Sequence, residues 1–504
     1  MGHRDQPRVL AERRAGVHAI RPEARLSTRT KLAYGVGQVG QSLKYIGFDT
    51  FAFFYFQQVL GLDAHLAGLA VALALVCDAI SDPAMGLLSD RWRSSVGRRH
   101  PFMLGSIVPM SVAWILLFLP PPHLGQWGLF AWLLTFSVLI RSAMTTFGVP
   151  YSALGAELTQ DYDERTSLAS YRNLSGLIGG TATIMLAYAW CFPEVPGLAN
   201  PLLNGDGYPK FALMSGFIIA ASLAVSSFGT LDQISRLPVA GEKPVALAVG
   251  DDLRTLLRHR TFLALFVGLT LSGMGAGMSS TLGTHMSVFF WELDPSRLVF
   301  IPGVYLLGAV LGASSTPALQ RRFDKKPVTL VAGLVAGCVP CLGVGLKLLG
   351  WFPENGSGAQ LILILLGGGI ASFAGTVSAV VGSSMAADVA QEYDLRRGSA
   401  KAGVVFAAMS FSAKLASSGG HLLAGLGLQW IAFPERVSDP SLVEPDRIRL
   451  LGLLSLTASC LGTSSLVVYR YYDLSREKHA ALTGALKRRE ELRAEGRTPV
   501  RRVV

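Results

Sequence analysis

Charge is scarce along most of this chain. Of its 504 residues only 16% are Asp, Glu, Lys or Arg, against 50% hydrophobic. A soluble domain of that length carries more charge on its surface. The polar residues also interrupt the apolar ones at intervals, which excludes one continuous core and points to bilayer-spanning helices joined by short charged loops. Cysteine is rare as well: Cys77, Cys191, Cys338, Cys341 and Cys460 sit mostly in apolar runs, and the Cys338-Cys341 pair has no second pair or nearby histidines, as a zinc or redox centre would need. The first thirty residues are Arg-rich and contain no apolar stretch. They do not read as a cleavable signal peptide, and Arg13-Arg14 lacks the following apolar region of a twin-arginine signal. With no nucleophile–base pair and no metal-ligand set, the sequence offers nothing for an enzyme to work with.

What is present is a series of apolar segments long enough to span, near 32–60, 65–89, 101–121, 127–155, 168–192, 210–231, 261–290, 297–319, 327–349, 359–387, 400–430 and 447–472. The net charge of +11 comes from Lys and Arg in the tails and in alternate loops. That placement signals membrane topology rather than nucleic-acid binding. One set of loops carries Arg91, Arg93, Arg98 and Arg99, then Arg165 and Arg172, Arg254 to Arg260, Arg321 to Lys326, and Arg396 to Lys401. The other set, around Leu62, Pro120, Pro196, Asp294, Pro353 and Pro434, is poor in Lys and Arg apart from the last. Both tails are therefore expected on the cytoplasmic side of an inner membrane. The expected organisation is a tail over 1–30, a six-helix bundle over 31–232, a central loop over 233–260, a second bundle over 261–473 and a basic tail over 474–504.

Internal repetition supports this division. Gln160-Asp161-Tyr162-Asp163-Glu164-Arg165 after the fourth segment is matched by Gln391-Glu392-Tyr393-Asp394-Leu395-Arg396 after the tenth. The loop Asp90-Arg91-Trp92-Arg93 has a degenerate counterpart in Arg321-Arg322-Phe323-Asp324. Matches at equivalent topological positions read as duplication of a six-helix unit with a cavity between the halves.

Within the second segment, Asp78 and Asp82 lie four residues apart on one helical face. Two acids in low dielectric repel unless a proton or a cation neutralises them. Pro83 cannot bond the carbonyl of Ala79, which leaves a free oxygen beside the pair and the Ser81 hydroxyl. Such an oxygen-rich site suits a monovalent cation or a shared proton; the plainer alternative is a pair of structural acids. Lys414 lies about 18–20 Å from its helix end and the acids about 12–18 Å from theirs, by the helical rise, so the three can meet at the midplane. Gln38, Gln41, Ser42, Lys44, Asp49, Arg141, Thr145, Arg172, Asn173, His285 and His421 are further polar groups able to line a cavity or to bridge helices. Asp90, Arg91, Arg98, Glu157, Asp161, Glu164, Arg165, Asp388 and Arg396 form charge clusters at matching loops and are candidates for a cytoplasmic gate.

These residues, taken in order, resemble the glycoside–pentoside–hexuronide:cation symporters of the major facilitator superfamily. The resemblance rests on Lys31-Leu32-Ala33-Tyr34-Gly35-Val36-Gly37, Asp78 through Gly86, Asp90-Arg91 through Arg99-His100-Pro101, Pro150-Tyr151-Ser152-Ala153-Leu154, Asp163-Glu164-Arg165-Thr166 and Lys414, and it runs from about residue 31 to 472. It implies an all-α membrane fold of twelve helices in two pseudo-symmetric bundles. It also implies a cation site at Asp78, Ser81, Asp82 and Thr145, with Lys414 and Arg172 as charged partners of the ion and sugar sites. Ser42 and Gly148 stand where the melibiose carrier of that family has sugar-binding acids. The stretch Gly148 through Ser152 to Leu154 is also similar to sodium-dependent lysolipid symporters.

The expected function is symport of a glycoside or similar small polar solute, coupled to Na+ or H+, by a monomer in contact with lipid and without any other cofactor. Gln41, Ser42, Gly148 and Ser152 would join Lys414 and Arg172 around the solute. Symport of a lysolipid or other amphiphile is the second expectation, and a non-transporting receptor or scaffold the third.

Overall fold

The computed structural model describes residues 26–159, 161–236, 260–397 and 402–471, together with Gly484 and Arg488. Most of the central loop and both tails lie outside these residues. The described residues form twelve long helices: α1 (Thr28–Gly47, continued by wider turns at Phe48–Ala52 and Tyr55–Val59), α2 (Ala64–Arg91), α3 (His100–Leu117), α4 (Gln126–Glu157), α5 (Tyr162–Leu186), α6 (Gly207–Gly229), α7 (Arg260–His285), α8 (Phe300–Arg322), α9 (Lys325–Leu348), α10 (Gly358–Arg397), α11 (Ala402–Trp430) and α12 (Pro445–Tyr469). Ten helical stretches are long and apolar enough to cross a bilayer. α1 is not among them, because Gln38, Gln41, Lys44 and Asp49 dilute it; its polar groups are tolerated where they face other helices rather than lipid.

Two helices depart from their apolar runs. The acidic block expected in the loop after the fourth segment instead starts α5: Asp161 is its N-cap, its side chain accepting from the Glu164 amide at 2.8 Å, with Asp163 and Glu164 in the first turn. Carboxylates there complement the positive end of the helix dipole. α10 likewise continues past its apolar run to Arg397.

The same pairings recur in both bundles. α1 packs on α5 and α6, α2 on α4, and α3 on α4 and α6; correspondingly α7 packs on α11 and α12, α8 on α10, and α9 on α10 and α12. The two interiors are filled differently. In the first bundle Phe51, Trp114, Phe118, Tyr208 and Phe211 are fully buried and stacked or edge-on to one another. The Trp114 indole donates to the Ser215 hydroxyl at 2.7 Å. In the second, small residues such as Gly275, Ser279, Gly337, Gly375 and Gly462 leave a cavity of about 1370 Å³ that opens onto Asp49, Thr50 and Tyr188 of the first bundle.

The bundles meet chiefly where α2 crosses α11, and more lightly where α5 faces α8. At the first crossing the backbones nearly touch: a Cβ on Gly425 would stand 2.4 Å from the Ala64 carbonyl oxygen, and one on Gly68 2.9 Å from that of His421. Replacing Gly425 with Val is expected to lower stability by about 1–3 kcal/mol, the usual result of overpacking. Unfolding of the purified protein in mixed detergent micelles measures it; an unchanged midpoint would show that the crossing is looser than described.

Candidate functional site

α2 brings Asp78 and Asp82 to the inner side of its crossing with α4 and α11. Asp78 is buried and Asp82 half-buried. Lys414 of α11 reaches across from the other bundle and sits between them, its Nζ 3.0 Å from Asp78 Oδ2 and in direct contact with Asp82 Oδ2. From α4, Thr145 Oγ1 lies 3.0 Å from Asp78 Oδ1 and 2.8 Å from Asp82 Oδ1. The hydroxyl has one proton, so it donates to one carboxylate at a time. Arg141, one turn earlier on α4, places Nη1 3.8 Å from Asp78 Oδ2. Two carboxylates and a hydroxyl therefore surround a single ammonium group in a setting where each charge is costly alone.

Other expected site residues fall elsewhere. Ser81 donates its hydroxyl to the Asp78 carbonyl on its own helix at 3.1 Å and makes no bond to either carboxylate. Ser42 packs against α5, where a Cβ on Gly176 would stand 2.8 Å from its Oγ. Arg172 lies beside Tyr34, which in turn stacks on Tyr151 at 4.5 Å, away from Lys414. Gly148 faces Gln41, with 3.0 Å between its would-be Cβ and Gln41 Nε2, and Ser152 is exposed.

At the end of the molecule carrying the basic loops, ion pairs join helices within a bundle. Arg98 and Arg99 both bond Glu157 Oε1, at 2.7 and 2.8 Å, and Arg99 also binds Asp90 at 2.6 Å and the Ser89 hydroxyl at 2.7 Å. Lys31 meets Glu164 at 3.1 Å, Lys325 meets Asp388 at 2.6 Å, and Arg165 donates to the Ala156 carbonyl at 3.2 Å. Arg91 is exposed, Asp161 serves as the α5 cap, and the side chain of Arg396 lies outside the described residues. The pivot of this end is Arg99, which a charge count along the loop does not single out from its neighbours. Its place next to the start of α3, pointing back at two helix ends, is what selects it.

The opposite end is held across the bundles without ion pairs among the described residues, mostly by uncharged groups. His285 Nε2 and Gln57 Oε1 are 2.8 Å apart, Gln58 donates to the Pro434 carbonyl at 2.9 Å, and Thr284 donates to that of Thr50 at 2.6 Å. Arg436 donates to the Leu60 carbonyl at 2.7 Å and Asn200 to that of Leu293 at 3.0 Å. Gln57, buried in an apolar stretch, was not among the candidates; a fully buried amide beside a histidine is visible only once the two helices are paired.

Twelve helices in two repeated bundles, closed at one end around a buried charge cluster, define a transporter architecture, and residues 33–476 match the family described as MFS/sugar transport protein. The chain belongs to this family. Its members are transporters, not enzymes. Among curated relatives, the putative glycoside/cation symporter YagG of Escherichia coli is 25% identical, the match covering 83% of this chain and 86% of that protein. The sodium-dependent lysophosphatidylcholine symporter 1 of Gallus gallus is 23% identical over 92% of this chain and 90% of that one. The solved inward-open conformation of the E. coli xylose transporter XylE superposes with a TM-score of 0.56 at 14% identity, covering 90% of this chain and 98% of that one, and shows the shared fold. This family member is thus a multi-pass membrane transporter.

Glu157 is nearly enclosed by two arginines. Arg99→Met is expected to destabilise the protein by about 3–5 kcal/mol, as removal of one partner from a buried pair does. Adding Glu157→Leu should deepen that loss, because Glu157 keeps Arg98 as a partner in the single variant and Arg98 loses its own in the double. Thermal unfolding of the single and double variants decides it; equal loss in both would mean that the cost is packing, not charge.

Proposed function

We propose that this transporter is a cation-coupled symporter of a glycoside or similar small polar solute, working by alternating access. The observation that carries the reading is the seat of Lys414 between Asp78 and Asp82, with Thr145 bridging the carboxylates. A cation entering that seat, Na+ or H+, takes over the negative charge that holds Lys414. It thereby loosens an ion pair linking α2 of one bundle to α11 of the other, so that occupancy biases the relative position of the bundles. The coupling ion is the only cofactor this mechanism requires.

The placement of basic residues supports cytoplasmic tails in a bacterial-type inner membrane. On that orientation the end closed by Gln57, His285 and the Gly68–Gly425 contact faces outward, and the ion pairs seen among the described residues at the cytoplasmic end lie within the bundles, which supports an inward-facing state. The site is complete within one chain, which supports a monomer. A second reading, symport of an amphiphile, is favoured by one observation: Leu177, Ile184, Leu269, Val339 and Leu363 line the large cavity, which gives an apolar tail room beside the site.

Uptake into proteoliposomes, with a panel of radiolabelled glycosides and imposed sodium or proton gradients, tests the coupling. Asp82→Asn and Asp78→Asn are expected to abolish gradient-driven accumulation of any solute the wild type concentrates. Accumulation at the wild-type level in both variants would sink the role of the pair.

A further inference from the structure

Several nitrogen donors between α1 and α4 are buried without a hydrogen bond among the described residues. Gln41 Nε2 and the Nε and Nη1 atoms of Arg141 have no hydrogen-bond partner there, Nη1 having only its 3.8 Å ion pair with Asp78, and Arg141 is only 5% exposed. Lys44, 3% exposed, sits with its Nζ 3.7 Å from the centroid of the Tyr45 ring and makes no ion pair among the described residues. These groups lie close together. Gln41, Lys44 and Phe48 follow one face of α1, while Gly148, Thr145 and Arg141 follow the opposing face of α4. Gln41 is set against Gly148, and the Arg141 guanidinium stands 5.2 Å from the centroid of the Phe48 ring. The absence of a side chain on Gly148 keeps the Gln41 amide clear.

Buried polar nitrogens with unfilled hydrogen-bonding capacity are costly in a membrane protein, so this row calls for an acceptor that arrives from outside. The surrounding charges say of what sign. Lys44, Arg141 and Lys414 are matched in number by Asp49, Asp78 and Asp82, each within electrostatic reach of at least one opposite charge of the set. Two other titratable groups act on Arg141: Tyr45, whose ring lies under Lys44, and His421, whose Nδ1 is 2.6 Å from the Thr281 hydroxyl. A coupling cation entering alone adds one positive charge to a balanced cluster; an anion entering alone adds one negative charge. Entering together they leave the balance unchanged.

We propose that Gln41, Lys44 and Arg141 bind an anionic group of the transported solute, a carboxylate or a phosphate, and that its charge compensates the coupling cation. This rests on the symport reading for the second clause only; the anion site stands on the unpaired donors. Where an acid on α1 or α4 would accept from sugar hydroxyls, this chain offers donors, so the group it recognises is an acceptor.

The test uses the purified full-length protein and two matched pairs of probes at constant ionic strength: methyl β-glucuronide against methyl β-glucoside, and lysophosphatidate against monoacylglycerol. The expected result is that the acidic member of one pair raises the unfolding temperature and its neutral partner does not, since only a ligand of the native state stabilises it. Which pair responds separates an acidic sugar from an acidic amphiphile. Lys44→Met and Arg141→Gln should each weaken the effect at least about tenfold, the scale of a charge-assisted bond. Equal response to both members of each pair, or none to either acid, overturns the proposal. An acid response that is the same in sodium and choline salts from pH 5 to pH 8 would instead sink the coupling reading and leave the anion site in place.

Discussion

The contact on which the arrangement of this protein turns is the ammonium group of Lys414 held between the carboxylates of Asp78 and Asp82. It is a bond between the two bundles, made in the middle of the molecule, and neither side can be satisfied without the other. α2 cannot carry two acids on one face in low dielectric unless positive charge is brought to them, and α11 cannot hold a lysine far from either end unless it finds acids. The close approach of the backbones at Gly68 and Gly425 sets the α2–α11 crossing that lets the side chains meet. Glycine there serves proximity, and the charges set register.

Around that bond the two ends of the molecule use different chemistry. Among the described residues the end with the basic loops is tied by ion pairs inside each bundle, Arg99 with Glu157 in one and Lys325 with Asp388 in the other. The far end is tied across the bundles, mostly by side chains donating to backbone carbonyls, as Gln58 does to Pro434 and Thr284 to Thr50. Bonds of the second type are individually modest, on the order of 1 kcal/mol net. Several of them together can hold a face shut and still be exchanged for others, which suits an interface that has to have two arrangements.

Much of this was legible in the chain. Twelve helices follow from the succession of apolar segments, ten of them apolar enough by hydropathy alone, the doubling from repeated loops, and the meeting of Lys414 with Asp78 and Asp82 from depth along the helices. Thr145 came from the family resemblance and stands where that resemblance put it, between the acids. What could not be read is the direction in which a side chain leaves its helix. Ser81 lies three residues from Asp78 and on sequence alone belongs beside the carboxylates, yet a serine in a helix can always turn back to a carbonyl of its own preceding turn, and here it does. Ser42 is similarly lost to the α1–α5 contact. Arg99 and Gln57 were missed for the converse reason: each is ordinary in its own segment and becomes decisive only through a helix distant in sequence.

The two bundles share a backbone plan more closely than a filling. Equivalent helices pair in both bundles, as repeated connectivity requires, but rings close-pack the first interior whereas glycine, serine and alanine line the second. The aromatic residues of the first bundle cannot be moved apart without opening voids, each of which costs van der Waals contact throughout its lining. The second bundle already contains its space. The charge cluster lies at the seam between the two, with Asp49 on the cavity wall and Asp78 against α4. A group seated there is gripped from the rigid side by α1, α2 and α4 and reached from the open side by α11, so Lys414, the side chain that ties the bundles together, is supplied by the bundle that has room for it to move.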